Sequence, residues 1–161
     1  MAAGRLPMCT ILGLLLVGFV SEGRATLEEG LDAYRAGDYV TAFKKWQPLA
    51  EEGQAKAQYN LGLLYYNGRG VNQDYAQARH WYLKAAEQGQ AFAQNNLGKL
   101  YEKGQGAPQD LVRADMWYLL SAAQGNDVAV KNHEALSKTL TAEQRGAAKK
   151  QAAAWKRKHT R

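Results

Sequence analysis

Two stretches, AKAQYNLGLLYYNGRGVNQDYAQARHWYLKAAEQG (residues 55–89) and AFAQNNLGKLYEKGQGAPQDLVRADMWYLLSAAQG (residues 91–125), decide the architecture of this chain. Laid over one another at a spacing of 36, they agree at nineteen positions, among them Ala57 and Ala93, Trp81 and Trp117, and Ala86 and Ala122. A fixed period in the range of about 20–50 residues marks stacked structural units. Within each unit the apolar residues step by three and four, as in Ala57, Leu61, Leu64 and Tyr65 and again in Ala78, Trp81, Tyr82 and Ala85. That spacing is one face of an α-helix. Gly68 and Gly70, repeated as Gly104 and Gly106, separate two helices per unit, and Gly53, Gly89 and Gly125 end each second helix. Gly62 and Gly98 fall inside the first helices. Glycine there costs about 1 kcal/mol relative to alanine, so the helix that follows, carrying Trp81 or Trp117, is expected to press too closely for a Cβ.

The predicted fold is therefore all-α, a short right-handed α-solenoid of antiparallel helix pairs in the tetratricopeptide style, closed by a C-terminal capping helix. Its units are placed at 27–53, 54–89 and 90–125, with a divergent cap at 126–161. The first unit keeps Tyr34, Gly37, Asp38, Ala42, Trp46 and Gly53 around a shortened turn. In the last, His133 and Glu134 stand where Leu61 and Gly62 stood. Thr141 and Gln144 then form a capping-box pattern ahead of the narrow apolar stripe Ala148, Ala152 and Trp155.

Residues 1–25 read separately. Arg5, the apolar run Thr10–Val20 and the small-residue pattern Gly23-Arg24-Ala25 follow the layout of a secretory signal peptide, with cleavage expected after Ala25. The run is shorter than the ~20 residues that span a bilayer. The single cysteine, Cys9, precedes that run, so the domain is expected to hold together by packing, without disulfides or thiolate metal sites. An exported location, periplasmic or secreted, follows.

The repeated order Gly-x-Ala-x-Ala-Gln, Leu-Gly, Tyr, Gly-x-Gly, Gln-Asp, Ala, Trp-Tyr and Ala-Ala-x-x-Gly resembles the Sel-1-like repeat, a relative of the tetratricopeptide repeat. Ala55 to Gly89 and Ala91 to Gly125 match it closely, and the ends resemble those of small exported bacterial members. The resemblance implies an adaptor that holds other proteins in envelope, signalling or motility assemblies. Cysteine-rich relatives linked to β-lactam binding bridge their repeats with disulfides; this chain lacks those cysteines. The repeat motif is structural and supplies no catalytic residue.

The residues themselves add no enzyme signature. His133-Glu134 begins like a metalloprotease helix, but Ser137 occupies the position of the second ligand. Asp74 and Asp110 precede second helices by one residue, which is the N-cap position. No catalytic residue, metal or cofactor is expected. Binding is expected on the concave face, which first helices line in superhelical repeats. The outward-facing set there is Tyr59, Asn60, Leu63 and Tyr66 in one repeat and Phe92, Asn95, Asn96 and Lys99 in the next. Rings supply contact area and asparagines can pair with a partner's main chain.

Charge is uneven along the chain. Residues 26–144 carry a net −2 and residues 145–161 a net +7, without a single acid. Lys149, Lys150, Lys156, Arg157, Lys158 and Arg161 make a basic tail that suits an anionic surface or an acidic protein. The export signal argues against nucleic acid. The expected function is thus a monomeric, non-enzymatic scaffold of the cell envelope that binds a protein partner through its concave face. Two alternatives stand beside it: an anionic-surface binding module acting through the tail, and a cell-wall or β-lactam-directed enzyme.

Overall fold

The structure, a computed structural model, describes residues 26–159. The expected cleavage site and Arg161 lie outside them. Helix α1 covers 26–35, followed by α2 (Tyr39–Glu51), α3 (Ala55–Asn67), α4 (Tyr75–Glu87), α5 (Ala91–Lys103), α6 (Leu111–Ala122), α7 (Asp127–Ser137) and α8 (Ala142–His159). No strand occurs among the described residues. Each helix from α2 to α7 packs on its predecessor or successor, and α8 folds back onto α6. The result is the all-α solenoid of helix pairs that the period predicts.

Local chemistry sets the helix ends. The carboxylates of Asp38, Asp74 and Asp110 accept backbone N–H groups in the first turns of α2, α4 and α6: the N-capping expected of Asp74 and Asp110, with Asp38 doing the same. Thr141 and Gln144 cap α8 reciprocally, each backbone N–H donating to the other's side chain at 2.9 and 3.2 Å. Gly68 and Gly104 end α3 and α5 with φ of 63° and 65°, a left-handed conformation that glycine adopts without a Cβ penalty.

The glycines inside the first helices are explained by close approach, though not to the expected residue. A Cβ on Gly62 would lie 2.5 Å from Tyr82 Cδ1, and one on Gly98 would lie 2.4 Å from Tyr118 Cε1. The intruding rings are Tyr82 and Tyr118, not Trp81 and Trp117. Neighbours on a helix point about 100° apart, and it is the tyrosine of each Trp-Tyr pair that faces the preceding helix. The shortened first unit follows the same rule, with Trp46 against Gly30.

A buried glutamine ladder ties unit to unit. Gln58 and Gln94 are almost fully buried. The Gln58 amide donates to the Ala50 carbonyl at 3.0 Å while its oxygen accepts from Gln88 at 2.8 Å. Gln94 repeats both bonds, to Ala86 at 3.2 Å and from Gln124 at 2.8 Å. A buried polar side chain is tolerated only when paired, and here each one joins a preceding second helix to its own unit. The core follows the stack, with Leu61, Leu64 and Trp81 packing toward the first unit and Tyr82, Leu97 and Leu100 toward the next.

Candidate functional site

Helices α3, α5 and α7 lie side by side and share one face. Two contacts between successive first helices show it: the Tyr59 ring on α3 lies 6.2 Å from the Phe92 ring on α5, and Asn132 on α7 donates to Asn95 on α5 at 2.8 Å. Phe92 is 58% exposed, the most exposed large apolar side chain among the described residues. Val128, one repeat later at the same position, is 49% exposed. An apolar side chain is thus left outside at the same place in two successive units.

The sequence-predicted residues distribute unevenly over this face. Tyr59, Asn60, Leu63, Tyr66, Asn96 and Lys99 are half-buried. Tyr59 lies between Phe92 and Tyr82, 5.9 Å from the latter ring. Burial pushes its hydroxyl above the usual tyrosine range, with the Asn96 side chain partly offsetting the shift. Tyr66 turns edge-on to Tyr75 at 5.5 Å, toward the interhelical turn. Asn95 departs from the expectation: it is only 4% exposed, and its carboxamide is engaged by Asn132. It is a seam residue between α5 and α7 and presents nothing outward. Its repeat counterpart Tyr59 is too large to be enclosed in the same slot.

The tail is helical. Lys149, Lys150, Lys156, Arg157 and Lys158 are exposed on α8. Arg145 is turned inward instead, donating to the Ser137 carbonyl at 3.1 Å and to the Leu140 carbonyl.

One polar pair was not anticipated. His133 Nδ1 lies 2.6 Å from Asp115 Oδ1, and the Asp115 side chain is 1% exposed. In the other repeats these positions hold Leu61 or Leu97 and Arg79. Both departures coincide in space, and that paired break in the repeat is the signal that could have found them. A histidine in a leucine slot requires a polar partner, and Asp115 supplies it. Among the described residues no cluster of three or more His, Cys, Asp or Glu side chains could hold a metal, and no helix is long and apolar enough to cross a membrane.

The Sel1 repeat family matches this chain at residues 55–90 and 91–126, in the two units whose glycines, glutamine ladder and capping aspartates repeat in register. Residues 55–126 are two Sel1 repeats. Among solved structures it is similar to c5321, a protective antigen of uropathogenic Escherichia coli with an SLR fold: TM-score 0.81, 32% identity, covering 85% of this chain and 30% of that one. A Sel1 repeat protein from Oxalobacter formigenes superposes with a TM-score of 0.65 at 38% identity, over 68% of this chain and 45% of its own. DAP3-binding cell death enhancer 1 of Rattus norvegicus is 43% identical over 49 residues, which are 30% of this chain and 10% of that protein. This chain thus spans less than half of each of these relatives. Sel1-repeat proteins are in general protein–protein interaction scaffolds and typically non-enzymatic.

Proposed function

We propose that this protein is a scaffold that holds an extended segment of another envelope protein against the face shared by α3, α5 and α7. The observation that carries the reading is the exposed Phe92 ring beside Tyr59 of the preceding repeat. Asn60, Leu63, Asn96 and Lys99 border it with amide, aliphatic and cationic groups, and none of them is fully buried. Such a surface suits a peptide whose main chain meets the amides while its apolar side chains meet the rings. The helix pairs are held by internal packing and the glutamine ladder, so little ordering entropy is lost on docking. Asn95, being enclosed, is no part of the contact set.

Export belongs to the proposal and is supported by the signal-like segment ahead of the repeats. Recovery of the full-length chain from the cytoplasm alone would refute it. The scaffold reading is tested by affinity capture from envelope extract at low and high salt, with Phe92→Ala and Tyr59→Ala/Phe92→Ala beside the parent. A specific protein retained at high salt by the parent and lost from the variants supports it. The same protein retained undiminished by folded variants overturns the assignment to this face.

A further inference from the structure

A second surface lies on the opposite, second-helix side, where α8 crosses α6. Two cavities of about 370 and 400 Å³ flank this crossing. Ala123 and Lys156 line both, so the two adjoin and make up one α6–α8 groove region. Leu119 and Leu120 of α6 contribute apolar surface to it, and Ala153 and Trp155 of α8 form the facing wall. Trp155 is fixed in place, its ring 5.8 Å from Trp117 and stacked 4.0 Å from His159. Lys149 and Lys156 stand along the rim, and Glu87 is the one acid that lines the groove.

The charge around the groove points to its occupant. From residue 145 onward the chain carries seven Lys or Arg and no acid. Cations in the last turn of a helix complement its dipole, which accounts for Lys156, Arg157 and Lys158 near the end of α8. Lys149 and Lys150 lie in the middle of that helix, where the dipole gives no such return. The apolar residues of α8 are also wrongly placed for a lipid surface. Ala148 and Ala152 are buried and Trp155 is packed against Trp117 and His159, so a bilayer would meet the cations and little apolar area beyond the small Ala153 and Ala154 side chains. A peptide can lower one apolar side chain against Leu119 and Ala153, or another beside Trp155, while its carboxylates meet the rim.

We propose that the α6–α8 groove docks an acidic segment of a protein partner, anchored by one or two apolar side chains among its carboxylates. This surface is separate from the α3/α5/α7 face and does not depend on it. The test is fluorescence anisotropy of a labelled Asp/Glu-rich peptide containing one Leu and one Phe. The comparison probes are the same peptide with both replaced by Ser, and phosphatidylglycerol vesicles. The Leu/Phe peptide is expected to bind tighter than the Ser peptide by about tenfold or more, the worth of burying one large apolar side chain. Ala153→Glu, at an exposed wall position, is expected to abolish that difference, and Lys149→Gln to weaken both peptides while leaving the fold untouched. Equal binding of the two peptides, failure of the Leu/Phe peptide to bind, or vesicle binding stronger than peptide binding would each overturn the proposal.

Discussion

Replacing Gly98 with alanine adds one methyl group to α5, at a point where two opposing effects can be weighed. Alanine is favoured over glycine within a helix by about 1 kcal/mol. Against that, the new Cβ would lie 2.4 Å from Cε1 and 2.5 Å from Cδ1 of Tyr118, where carbon atoms settle at about 3.5–4.0 Å. The ring must therefore retreat by roughly 1 Å. Tyr118 is fully buried, and its hydroxyl donates to Glu102 Oε2 at 2.6 Å, so it cannot swing outward without breaking that bond. Overpacking of this kind costs about 1–3 kcal/mol. The net expectation is a loss of about 0–2 kcal/mol, and the same at Gly62 against Tyr82. Gly146→Ala is the control, since its Cβ would meet nothing within 4 Å on α8, and it should gain about 1 kcal/mol. Urea unfolding followed by circular dichroism reads both signs. A Gly98→Ala protein as stable as Gly146→Ala would refute the close-approach reasoning.

Two further outcomes follow from the buried polar groups. Gln94→Leu removes both bonds of one rung, leaving the Ala86 carbonyl with the Gly89 N–H and the Gln124 amide with only a 3.4 Å bond to the Leu120 carbonyl; at about 0.5–1.5 kcal/mol per bond the expected loss is about 1–3 kcal/mol, and urea unfolding unchanged within error would refute the ladder. Burial holds the Tyr82 and Tyr118 hydroxyls far above their ordinary ionisation range. Since the folded values are raised, that stability is fully present below the unfolded tyrosine pKa of about 10 and is lost as pH rises beyond it. Thermal stability should fall steeply above that pH, and the phenolate absorbance of these two rings should appear only with unfolding; full titration of all tyrosines in the folded protein would refute this.

The sequence by itself determined everything that depends on position along the chain. The matched positions dictate helix pairs, and Gly68, Gly104, Asp74, Asp110 and the Thr141–Gln144 box mark their ends, because caps and turns are made by residues within a few positions of one another. The tertiary structure alone decided which side chains the neighbouring helices enclose. Tyr59 and Asn95 share a repeat position, yet one borders solvent beside Phe92 and the other is sealed against Asn132, since the size of the side chain and of its neighbour in the next unit differ. Trp81 and Tyr82 are adjacent, and only the packing of α4 on α3 selects the tyrosine to press on Gly62. The Asp115–His133 pair and the α6–α8 groove likewise join residues 18 or more positions apart. Periodicity fixes the direction in which a residue points from its own helix; how closely the next helix approaches is set by the volumes packed between them.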